Sequence, residues 1–129
     1  MATWTDVRNY LHGNYRVDTD NGDFVKMLFH FQDGRSQFIY VRYAENNGGA
    51  GFATVESPIG ELRKVDLVVL LREVEKLVCG GLSLVGGMVT LRHAVPLEDM
   101  SVEEFEYPLH AIAGSADELE RRVSFVDAH

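Results

Sequence analysis

Apolar side chains recur along this chain in two rhythms, and the switches between them mark out the elements. Trp4, Val7 and Leu11 repeat at helical spacing behind Thr3, which suits an N-cap, with Asp6 three residues on as a weaker capping box. Gly13 stops that helix. The rhythm then changes to alternation. Tyr15 to Val17 and Phe24 to Phe31 flank the hairpin pair Asn21-Gly22, and Asp33-Gly34 leads into Gln37 to Tyr43. In the second strand Val25, Met27, Phe29 and Phe31 fall on one face, and Phe24, Lys26, Leu28 and His30 on the other. A glycine-rich connection, Asn46 to Gly51, which we read as flexible, precedes a strand over Phe52 to Glu56.

Ser57-Pro58 reads as the end of this antiparallel run, with a helix expected to begin near Ile59 to Leu62. At about 100° per residue, Leu67, Leu70, Leu71, Val74, Leu77 and Val78 form one stripe expected to face the core. Val65, Val68 and Val69 form a second patch on the other side, which predicts a contact there as well. Gly80-Gly81 ends that helix. Leu82 to Val85, Gly86-Gly87 and Met88 to Val95 read as a tight hairpin closed by Pro96. Ser101-Val102-Glu103-Glu104 is a full capping box for a last helix. Its seam is Phe105, Leu109, Ile112, Ala116, Leu119, Val123 and Val126, with Pro108 and Gly114 predicting a kink or a split. The order α-β-β-β(-β)-α-β-β-α is that of an α+β fold with an antiparallel sheet packed by helices, one domain over residues 1–129.

Composition narrows the function more by exclusion than by assignment. A net charge of −8, from 20 acidic and 12 basic residues, repels phosphate backbones, so neither nucleic acid nor an anionic membrane is an expected partner. The first residues lack a basic start and an apolar run, and Val65 to Leu71 is too short to span a bilayer, which predicts a cytoplasmic protein. A single cysteine, Cys79, rules out an intramolecular disulfide and a cysteine-based zinc site.

The remaining polar residues offer few catalytic or metal-binding patterns. Asp18 to Asp23 has its glycine fifth, where a calcium loop needs it sixth, and Phe29 stands where the final glutamate belongs. It reads as an ordinary acidic turn. His12, His30, His93, His110 and His129 show no metal-ligand spacing. Cys79 follows a helix, where the dipole disfavours a thiolate, so a buried, inert role is expected. Glu103, Glu104 and Glu106 complement a helix start instead of forming a dyad. No catalytic residue, metal or cofactor is assigned, and the chain is read as a non-enzyme. An enzyme or small-ligand binder with a dispersed site is the open alternative.

One stretch carries a resemblance. Asp66-Leu67 with Leu70-Leu71, Gly80-Gly81 before the hairpin of Leu82 to Leu91, Pro96-Leu97, Met100 to Phe105 and Ala116 to Glu120 together resemble the YbjN-like and type III secretion chaperone-like superfamily. That resemblance implies a small acidic homodimer holding a segment of a client protein, or, in the YbjN manner, a regulatory module acting on a signalling protein. It would make Val65, Val68 and Val69 the dimer surface. It would also place Trp4, Val7 and Leu11 beside Phe29 and Phe31 along a peptide groove.

Overall fold

The computed structural model describes residues 2–123. Helix α1 spans Trp4–Asn14, and four strands follow: β1 Arg16–Asp20, β2 Phe24–His30, β3 Ser36–Glu45 and β4 Gly51–Glu61. Helix α2 is Leu67–Val74, β5 and β6 are Gly81–Val85 and Met88–Pro96, and α3 is Glu106–Val123. The six strands form one antiparallel sheet in the order β1-β2-β3-β4-β6-β5. The architecture is α+β, in the element order expected with its fourth strand present.

One face of the sheet is the core. Val25, Met27, Ile39, Val41, Ala53, Val55 and Leu91 are fully buried there. Val7 and Leu11 of α1, and Leu109, Ile112 and Ala116 of α3, close over them. Both halves of the first capping box form: Thr3 Oγ1 accepts from the Asp6 N–H, and the Asp6 carboxylate accepts from the Thr3 N–H. The expected seam of the last helix is buried from Phe105 to Val123, while Val126 lies outside the described residues.

Several boundaries differ from the sequence reading. Ser57-Pro58 does not end the sheet, because β4 runs through it to Glu61, with a register shift between Pro58 and Gly60. The bulge accommodates a residue that cannot donate to the ladder. The middle helix consequently starts later than Ile59, at Leu67, where the Asp66 carboxylate accepts from the Val69 N–H. Pro108 does not split α3, since it sits in the first turn, where a missing N–H breaks no intrahelical bond. Asn46 to Ala50 is closed by its own bonds: Asn46 Oδ1 accepts from the Gly48 and Ala50 N–H groups, and the Asn46 N–H donates to the Ala50 carbonyl.

The orientation of α2 is the largest correction. Leu70 is buried and Val74 and Leu77 are half-buried, but Leu67, Leu71 and Val78 are exposed instead of facing the core. Val69 is half-buried against the core, and Val65, in the extended segment before the helix, is 5% exposed. An eight-residue helix lying beside α3 buries a narrow seam, and that seam lies to one side of the leucine stripe.

Candidate protein-binding surface

Of the five residues expected to line a peptide groove, Val7 and Leu11 are fully buried in the core and unavailable to a partner. Trp4 is half-buried, its indole N–H donating to the Gly22 carbonyl at 2.7 Å and its ring 5.9 Å from that of Tyr43. Phe29 and Phe31 are half-buried at the other end of β2, their rings 5.3 Å apart. Phe29 also meets Tyr15 at 6.0 Å and His110 edge-on at 4.9 Å. Trp4 and the phenylalanines are therefore separated by the length of β2, with the buried α1 side chains between them. The expected single groove is two small aromatic clusters. In the second, the Tyr15 hydroxyl is pushed up to about 12 by burial, with Tyr10 and Glu106 nearby adding to the effect.

Of the three residues expected at a dimer surface, Val68 alone projects freely, at 59% exposed. Leu67 and Leu71, which the sequence reading turned inward, stand beside it. With Leu62 they form one wall of an apolar groove of about 310 Å³, and Leu82 and Leu84 of β5 form the other. Strand β5 is an edge: it pairs with β6 on one side, and its other side has no strand neighbour among the described residues. Gly81-Leu82-Ser83-Leu84-Val85 carries no charge and no proline, the devices that usually keep a free edge from pairing. That uncharged run was the one signal in the sequence that could have exposed this groove.

Two of the polar residues, Asp20 and His93, anchor neighbouring backbone and side chains. Asp20, in the acidic turn, accepts from Arg8 at 2.9 Å, from His12 at 2.7 Å and from the Gly22 N–H at 2.9 Å. These contacts, His12 first, hold its carboxyl down at about 2 against the opposing effect of burial. His93 Nδ1 accepts from the Gly80 N–H at 3.2 Å. Cys79 is a free thiol and half-buried, not fully buried as expected. Among the described residues no group of three or more His, Cys, Asp or Glu side chains could hold a metal ion. No described helix is long and apolar enough to cross a membrane.

Comparison with known proteins adds the fold. No family model matches the chain, and no curated protein matches it. Among solved structures it is similar to a chain of the HopA1-SchA chaperone-effector complex, with a TM-score of 0.58 at 12% identity, over 90% of this chain and 88% of that one. At that identity the likeness is one of fold.

Proposed function

We propose that this chain is a non-enzymatic, chaperone-like domain that holds a segment of another protein and works as a homodimer. The observation that carries the reading is the apolar groove between α2 and the free edge of β5, where Leu67, Leu71 and Leu84 are exposed, with Val68 exposed next to it on α2. Contiguous apolar surface next to an unprotected edge strand is a binding surface by default. A second copy meets it with the same leucines, so a two-fold contact would bury them reciprocally. The fold shared with a chain of a chaperone-effector complex supports a partner of the protein class. For the held segment we assign Phe29 and Phe31, which keep exposed surface close to β1, the other edge of the sheet. An extended segment added to that edge would gain main-chain hydrogen bonds.

The test is a gentle affinity capture from the encoding organism, with the retained material mapped by limited proteolysis. One dominant protein, held through a short segment and lost on Phe29→Asp, is the expected result. An intact, folded chain that retains nothing specific, or retains it equally after that substitution, would sink the client assignment.

A further inference from the structure

The helices cover one face of the sheet, and the opposite face is left to side chains. Glu56 of β4 stands there and is 3% exposed. Arg42 of β3 donates through Nε to both of its oxygens, at 3.1 and 3.2 Å, and Arg92 of β6 brings its own Nε to 3.5 Å. The Thr54 hydroxyl donates to the same carboxylate at 3.0 Å. A carboxylate removed from water requires such partners. The two guanidiniums engage Glu56 through Nε, so their terminal amino groups make no hydrogen bond to another described residue. Glu56 thus holds two arginines side by side with their forks unused.

Around them the face is aromatic and cationic. Arg42 lies 4.6 Å from the Phe24 ring centre, and Phe24 and Tyr40 are 5.6 Å apart. Lys26 Nζ lies 4.4 Å from the Phe38 ring, and Asp18 approaches it no closer than 3.9 Å. A chain of net charge −8 therefore carries three cations on one face, offset in part by Glu56 and Asp18, beside the exposed ring of Phe38 and the half-buried rings of Phe24 and Tyr40.

We infer that this open face docks an acidic, extended segment of the partner protein. Its Asp or Glu side chains take the free forks of Arg42 and Arg92, since guanidinium and carboxylate match bidentately. Its apolar side chains lie on Phe24, Phe38 and Tyr40. The inference deepens the protein-binding reading above and rests on it. A nucleic acid fits less well, because its continuous line of phosphates meets the whole field of an acidic chain, whereas a peptide places a few charges where the arginines are.

The experiment is a fluorescence anisotropy titration of the full chain with a labelled peptide of alternating glutamate and valine. A glutamine-valine peptide and a single-stranded oligonucleotide of equal charge are the controls. The acidic peptide should bind about tenfold or more tightly than the glutamine peptide, and weaken as salt is raised. Arg42→Gln with Arg92→Gln should abolish that preference. Because this pair leaves Glu56 buried without its cations, a triple variant adding Glu56→Gln keeps the volume and neutralises the network. Lys26→Gln with Arg92→Gln, which leaves Arg42 on Glu56, should also weaken binding. Equal affinity for the two peptides, undiminished binding by folded variants, or tighter binding of the oligonucleotide would overturn the inference. A Leu71→Asp variant should still bind the acidic peptide, so failure of the α2–β5 groove as an interface would be seen separately.

Discussion

The carboxylate of Asp20 and the ring of His12 meet at 2.7 Å across the seam between α1 and the β1–β2 hairpin. Arg8, one helical turn earlier, reaches the same oxygen. The Asp20 carboxyl is lowered from 3.8 to about 2, with the His12 hydrogen bond as the largest cause. A group whose folded value lies below its unfolded one stabilises the fold above the unfolded value and loses that contribution as pH falls through the folded one. Asp20→Asn should therefore lower stability by about 1–2 kcal/mol near neutral pH. The gap from wild type should shrink as pH drops from about 4 to about 2. Urea unfolding followed at several pH values would show it, and a gap independent of pH in that window would remove Asp20 from this role.

Trp4 is the chain's single tryptophan, so its emission reports on the docking of α1 alone. Its indole N–H is tied to the Gly22 carbonyl at 2.7 Å. Trp4→Phe should cost about 1 kcal/mol beyond any change in packing. In the wild type, emission should shift to the red in the same cooperative transition that circular dichroism follows. A fluorescence transition at lower denaturant would show α1 leaving the sheet before the rest unfolds.

The order of elements was legible because local signals agree with the fold. Thr3 and Asp6, Asn21-Gly22, Gly86-Gly87 and the Phe105-to-Val123 seam all act within a turn or a few residues of themselves. What was not legible depends on distant neighbours. Pro58 lies within a strand because Gln37, on β3, donates to its carbonyl and the bulge beside it absorbs the missing N–H. Val7 and Leu11 read as groove residues until α1 is seen lying on the sheet with them beneath it. The stripe on α2 was periodic, but periodicity does not say which side meets the core; the seam with α3 decides that. Glu56 is one carboxylate among many until β3 and β6 bring Arg42 and Arg92 to it.

Gly60 follows the bulge of β4, where a Cβ would stand 2.8 Å from Cγ1 of Val65. Val65 is buried and cannot retreat toward solvent. Gly60→Ala should cost about 1–3 kcal/mol by overpacking. The loss should be partly recovered in Gly60→Ala with Val65→Ala, where the offending methyls are gone. A double variant with simply additive losses in thermal unfolding would place the strain elsewhere.

Leu70 and Leu71 are neighbours on α2 with opposite fates: the first is fully buried, and the second is 56% exposed along the apolar groove. Leu70→Ala should cost about 2–5 kcal/mol, as a cavity in the core does. Leu71→Asp should leave the stability of the monomer within about 0.5 kcal/mol, and convert the proposed homodimer to monomer by placing a charge in the apolar contact proposed for it. Light scattering with denaturant melts would separate the two effects. Val68→Asp, on the same exposed side, should act like Leu71→Asp. An unchanged mass for both aspartate variants, or a wild-type chain that is already a monomer, would defeat the interface. Comparable destabilisation at Leu70 and Leu71 would show instead that both leucines serve the core, and that the partner surface lies elsewhere on the molecule.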